Sequence, residues 1–253
     1  MTVYEFYKFL ENKYPKEISC PWDNDGIMCS RDPDAPVRKI LVSLDATKRA
    51  LKYASEGRFD LILTHHPMIF RKLDSVTPAT LGGNRVVTAF AEGISVISLH
   101  TRLDAGRGGV NDSLVEKLGY TASESFGDDE SPKLGRIFEL ESPIGAKAFS
   151  VSVKEKLGAQ SVRLTGCKDV KRIAVVGGAG GDFVIPAILS KADILLCGEC
   201  SYNAAQDAAE QGLCVLEAGH YHTEFPVCRK LLSLAEECGI SGEIFESCDH
   251  ITL

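Results

Sequence analysis

Asp60-Leu61-Ile62-Leu63-Thr64-His65-His66-Pro67 is the stretch that decides the fold. A run of three aliphatic residues is too short for a helix and suits a buried strand. It ends in two imidazoles and a proline, which denies a backbone donor and stiffens the turn. Two further segments follow apolar runs in the same way: His100-Thr101-Arg102-Leu103-Asp104 after Ile94 to Leu99, and His220-Tyr221-His222-Thr223-Glu224 after Leu213 to Ala218.

The strand runs recur at fixed spacing. Lys39-Ile40-Leu41-Val42 matches Arg172-Ile173-Ala174-Val175, and Asp60-Leu61-Ile62-Leu63 matches Asp193-Ile194-Leu195-Leu196, both 133 positions apart. Glu92-Gly93-Ile94-Ser95-Val96-Ile97 matches Gln211-Gly212-Leu213-Cys214-Val215-Leu216 at 119 positions. An internal duplication with one deletion accounts for these offsets. Chance likeness between strand–helix units is the alternative, since all such units repeat apolar strands.

Each half then reads strand, helix, strand, helix, strand, with helices expected over Thr47 to Glu56 and Ser201 to Gln211. That alternation predicts an α/β fold of two similar βαβ-type domains, each a parallel sheet with helices on its faces. The polar, turn-rich Asp128-Asp129-Glu130-Ser131-Pro132 is the linker candidate, giving domains 1–126 and 127–253, with the last helix packing back on the first. A strand is expected over Gly135 to Leu140, a helix over Ile144 to Leu157 and a strand over Val162 to Leu164. A helix from Glu224 to Cys238 would set Glu224 in its first turn, at the positive end of the dipole. His250, in the tail, reads as a surface residue.

The 253 residues are 44% hydrophobic and 25% charged, an ordinary globular composition. A net charge of −7 without any basic run argues against a nucleic-acid partner. Glu5, Lys8, Glu11 and Lys13 rule out an N-terminal signal peptide. No apolar stretch approaches the ~20 residues that span a bilayer. A cytoplasmic protein without a membrane partner is expected, and its nine cysteines are then mostly buried thiols.

The histidine segments carry the chemistry. Imidazole and carboxylate are ligands of zinc, manganese and ferrous iron. All three segments lie at the carboxyl ends of strands, where open α/β sheets place ligands. One metal site, drawing on His65, His66, His100, Asp104, His220 and Glu224 in the cleft between the domains, is the expectation. Adjacent side chains on a strand point to opposite sides, so His65 and His66 serve two metals more easily than one. A carboxylate such as Glu224 can bridge a two-metal site with ions ~3.5–4 Å apart. His100 is the candidate for acid/base catalysis or for support of a ligand.

Each motif also has a plainer reading. The histidine pair can be a strand-end turn, Asp104 a helix or turn cap before Gly106-Arg107-Gly108-Gly109, and Glu224 a helix-terminus carboxylate. Cys197-Gly198-Glu199-Cys200 has redox spacing at a strand-to-helix junction, but no second pair completes a zinc knuckle. Gly177-Gly178-Ala179-Gly180-Gly181-Asp182 can cradle a phosphate through its amides, although it lacks the lysine of a P-loop and reads more simply as a tight turn. Trp22-Asp23-Asn24-Asp25-Gly26 reads as a turn with a half-buried tryptophan; Asp23 and Asp25 lack the twelve-residue loop of a calcium site.

The sequence resembles the Nif-three-like family of dinuclear-metal-centre hexameric proteins, also labelled GTP cyclohydrolase 1 type 2 homologs. The resemblance runs over nearly the whole chain. It is carried by Trp22-Asp23-Asn24-Asp25-Gly26, Leu44-Asp45-Ala46-Thr47, Thr64 to Phe70, His100 to Ala105, Gly109-Val110-Asn111-Asp112 and Gly219 to Glu224. It implies a homohexamer of two-domain subunits with two divalent metals each, zinc, iron or manganese. His66 and Asp104 would hold one metal, His65 and His220 the other, with Glu224 bridging. Arg102 and Asn203 depart from the family pattern beside the pocket. A metal-dependent hydrolase acting on a nucleotide or phosphoester is the reading, with Arg102 and the Gly177 to Gly181 amides drawing in a phosphate. The alternative is a non-enzymatic metal-binding scaffold.

Overall fold

The computed structural model describes residues 1–128 and 132–246. The expected surface position of His250 therefore lies outside the described residues. The described residues divide into two compact units, 1–103 with 227–246 and 104–128 with 132–226.

The sheet of the first unit has five strands: β1 (Gly26–Cys29), β2 (Lys39–Ser43), β3 (Leu61–Thr64), β4 (Ser95–Ser98) and β11 (Ser241–Ile244). Their order is β1-β4-β3-β2-β11. β2, β3, β4 and β11 run parallel, and β1 is antiparallel to β4. The unit also carries α1 (Val3–Lys13), α2 (Lys48–Glu56), α3 (Leu81–Ala91) and α10 (Val227–Glu237). Thr47 and Thr80 cap α2 and α3 by accepting from the amides of Ala50 and Gly83, which fixes where each strand-to-helix loop ends. Leu41, Ile62 and Val96 of the sheet pack with Ala50, Leu51, Ala54 and Ala89 of these helices.

The second unit has six strands: β5 (Glu124–Phe126), β6 (Gly135–Gly145), β7 (Arg163–Thr165), β8 (Asp169–Val175), β9 (Ile194–Cys197) and β10 (Cys214–Glu217). Their order is β5-β6-β8-β9-β10-β7, with β8, β9 and β10 parallel and the outer strands antiparallel. Its helices are α4 (Thr101–Ala105), which the division crosses, α5 (Val110–Lys117), α6 (Ala146–Leu157), α7 (Val184–Leu189), α8 (Tyr202–Glu210) and α9 (His220–Glu224). Alternate residues feed two cores, as a pleated strand requires. Phe138, Ile173, Val175, Ile194 and Leu196 meet α5 and α6 residues such as Val115 and Phe149; Ile137, Ala174, Leu195 and Val215 meet Ala187, Ala205 and Ala208.

Three expectations change. The sheets are mixed, because antiparallel strands border each parallel core. The boundary expected at 126/127 lies inside the second unit, where β5 and β6 on either side of it pair with each other. Residues 129–131 of the expected linker are outside the described residues, but its flanks close an antiparallel pair of strands. The last helix is also split: Pro226 has no N–H to donate and separates α9 from α10, so Glu224 ends one short helix instead of starting a long one.

The duplication is present in backbone detail. Asp60 Oδ2 accepts from the amides of Arg38 and Lys39 at 2.8 and 2.9 Å, and Asp193 Oδ2 accepts from those of Lys171 and Arg172, both at 2.9 Å. The amide of Leu99 donates to Thr64 O and that of Ala218 to Cys197 O, both at 2.9 Å. Arg58 and Lys191, at φ 55° and 57°, are the non-glycine residues with positive φ among the described residues, and they too are 133 positions apart. Chance likeness of strands does not produce the same carboxylate clamp and the same strained turn twice.

Candidate metal centre

In the first unit the turn after β3 and the turn after β4 bring three imidazoles together. His65, His66 and His100 each offer a ring nitrogen within 4.8 Å of the others, an arrangement able to hold a metal ion. His65 is buried, and its Nδ1 lies 3.0 Å from Leu99 O. A carbonyl only accepts, so this contact puts the proton on Nδ1 and the lone pair on Nε2. His66 Nδ1 lies 3.0 Å from Asp45 Oδ1, and His100 Nδ1 lies 2.8 Å from Asp23 Oδ1.

Asp23 is itself held firmly. Thr101 donates to its Oδ2 through the amide at 2.9 Å and the hydroxyl at 2.5 Å. Burial alone raises the Asp23 pKa, but hydrogen bonds from His100 and Thr101 outweigh it and keep the carboxyl well below the usual range. Asp25 forms a two-pronged pair with Arg102, Nε to Oδ2 and Nη2 to Oδ1, both at 3.0 Å, and a further pair with Lys16. Both aspartates are thus committed to protein partners, which removes the calcium alternative. Arg102 is fully buried and also donates to Tyr14 O. It braces the loop beneath His100 and is in no position to attract a phosphate.

In the second unit His220 and Glu224 meet one helical turn apart, with Nε2 3.1 Å from Oε2. His220 Nδ1 lies 3.1 Å from Glu199 Oε1. Glycines let α9 sit this close to the sheet. A Cβ on Gly178, at φ +69°, would stand 2.3 Å from Glu224 Oε1 and 3.0 Å from His220 Nε2; one on Gly198 would stand 2.7 Å from His220 Cα. Three amides of the loop that would cradle a phosphate already have protein acceptors. Gly177 donates to Asn111 Oδ1 at 2.7 Å, Gly178 to Thr223 Oγ1 at 3.1 Å and Gly180 to Glu199 O at 2.8 Å.

Asp104 lies on α4 and is buried. Among the described residues of its own unit it joins no group of three metal-ligand side chains. The backbone around it is fixed by Arg136, fully buried, whose Nη2 donates to Ala105 O at 2.8 Å and Gly106 O at 3.0 Å. Asn203 is exposed in the first turn of α8.

The chain's donor chemistry fits a divalent metal. Three of its imidazoles are backed by a carboxylate and the fourth by a carbonyl, the arrangement that orients metal-binding histidines and raises their basicity. Sequence reasoning missed Asp23, Asp45 and Glu199 in these supporting roles. The signal for Glu199 was available: 133 positions separate it from His66, so it occupies the same strand-end position in the second unit.

Cys197 and Cys200 are free, buried thiols, and burial pushes both pKa values up. A redox pair needs the opposite shift.

Two mixed α/β sheets of duplicated plan, with carboxylate-backed histidines at the strand ends, define the class. The Duf34/NIF3 (NGG1p interacting factor 3) family model matches residues 1–248, and the chain belongs to that family. It is 33% identical over 242 residues to a GTP cyclohydrolase 1 type 2 homolog of Clostridium perfringens, covering 94% of this chain and 92% of that one. A protein of the same designation from Clostridium acetobutylicum is 32% identical over 261 residues, covering 99% and 97%. The crystal structure of Staphylococcus aureus protein SA1388 shares the fold at a TM-score of 0.87 and 23% identity, covering 100% of this chain and 99% of that one. Among the described residues no helix is long and apolar enough to cross a membrane.

Proposed function

We propose that the protein binds two divalent metals per chain through His65, His66, Asp104, His220 and Glu224 and uses them to hydrolyse a nucleotide or small phosphoester. The observation that carries this reading is the carboxylate backing of His66, His100 and His220, which an isolated strand-end turn does not need. Divalent metals supply a lowered water pKa and polarise a phosphoryl or carbonyl oxygen. His65 and His66, on adjacent positions, would each serve one of the two ions, and Glu224 would contribute to both. His100, braced by Asp23, moves the proton at the reacting oxygen. The relatives' designation, GTP cyclohydrolase 1 type 2 homolog, agrees with a nucleotide substrate. The family resemblance further supports a cytoplasmic homohexamer as the working assembly.

The test is hydrolysis of nucleotides and p-nitrophenyl phosphate by protein loaded with zinc, manganese or iron(II). Turnover that chelator and His65→Ala each abolish is expected. Metal-loaded protein that neither binds nor turns over any of these at millimolar concentration contradicts the hydrolase and favours a metal-binding scaffold.

A further inference from the structure

The single tryptophan of the chain is expected from its sequence context to be half buried; in the structure Trp22 is 62% exposed, and Phe70 beside it is 47% exposed. Large aromatic side chains left in water next to a cluster of ligand-type residues mark a contact surface. Trp22 and Phe70 stand edge to face, 6.1 Å between centroids at 83°. Each also stands edge to face with His100, at 6.3 Å and 73° and at 5.8 Å and 81°. The three rings form an open corner whose inner member is one of the metal-capable imidazoles.

The corner is preorganised. Asn24 donates its side-chain amide to Ile69 O, tying the Trp22 loop to the Phe70 loop. The amide of Asp23 donates to Cys20 O at 3.0 Å, and that of Cys20 donates to Thr101 Oγ1 at 2.9 Å. Loops held in this way lose little freedom when a ligand arrives. All of these residues belong to the first unit.

We infer that Trp22 and Phe70 form a stacking subsite for a planar heteroaromatic ring, such as a purine, whose oxygen-bearing substituent reaches the metals beside His100. The inference rests on the metal-dependent hydrolase reading and adds the part of the substrate that is recognised. A flat π system gains from both ring faces of an orthogonal corner, and stacking on an aromatic side chain tolerates a range of bases. An aliphatic phosphoester has nothing to place there.

The experiment uses zinc-loaded full-length protein. Guanosine 5′-monophosphate and ribose 5-phosphate are each titrated while Trp22 emission and binding heat are followed. The proposal expects guanosine 5′-monophosphate to quench Trp22 and to bind about tenfold more tightly than ribose 5-phosphate. Trp22→Ala and Phe70→Ala should each remove that advantage without changing zinc content or ribose 5-phosphate affinity. Equal affinity for the two ligands, unchanged in Trp22→Ala, overturns the stacking subsite while the phosphoester reading stands. Failure of both ligands to bind overturns the underlying reading and the subsite with it. Trp22 emission that shifts with protein concentration in the absence of ligand also overturns it, because a second copy of the chain then covers the corner.

Discussion

His100 Nδ1 lies 2.8 Å from Asp23 Oδ1, and Asp23 in turn takes both the amide and the hydroxyl of Thr101. The aspartate therefore fixes the ring of His100 and the start of α4 together. Hydrogen bonds from His100 and Thr101 outweigh its burial and keep its carboxyl below the usual range.

Replacing Asp23 with Asn keeps the shape of this contact and removes its charge. We expect Asp23→Asn to remain folded and to keep its zinc, and to lose about a hundredfold in turnover, because His100 moves the proton and loses the carboxylate that orients it. Zinc content and p-nitrophenyl phosphate hydrolysis measured side by side check it. Unchanged turnover means that His100 takes no part in the proton transfer.

Gly178→Ala tests the close approach of α9. The substitution forces a left-handed backbone on alanine and sets a methyl 2.3 Å from Glu224 Oε1. The backbone alone costs about 1–2 kcal/mol. Thermal unfolding should show that loss, and metal analysis should show displacement of the His220 and Glu224 donors. Gly181→Ala is the control, since a Cβ there meets nothing within 4 Å.

Cys197 and Cys200 should stay unmodified when native protein meets iodoacetamide near neutral pH. Alkylation needs the thiolate, and burial raises both pKa values, which keeps both groups as thiols near neutral pH. Cys167, which is exposed, should react first. Peptide mapping decides the order. A Cys197–Cys200 disulfide in air-handled native protein, or metal loss in the double serine variant, contradicts this account.

The strands were readable because each is a short apolar run between polar turns, and the repeat was readable because Asp60 and Asp193 mark the same turn. The histidines were readable because imidazoles at strand ends are uncommon. The supporting carboxylates were harder to find. Asp23 and Asp25 stand in one turn, yet the first pairs with His100 and the second with Arg102, partners more than seventy residues away. Nothing local tells the two apart. Arg102 reads as a surface cation until the buried Asp25 that neutralises it is known. Glu199 was hidden inside a motif that spells redox chemistry. Pro226 was a visible helix breaker, and its effect on the place of Glu224 follows from its missing N–H alone.

The central claim is a pair of metals shared among five ligand side chains, and metal content tests it most directly. Protein stripped with chelator, offered zinc, passed through a desalting column and analysed for zinc should carry two ions per chain. Glu224→Ala should lose both, as a ligand common to the two ions would, and Asp104→Ala should lose mainly one. Zinc near zero in the parent protein, or equal and negligible losses in the two variants, would contradict the account.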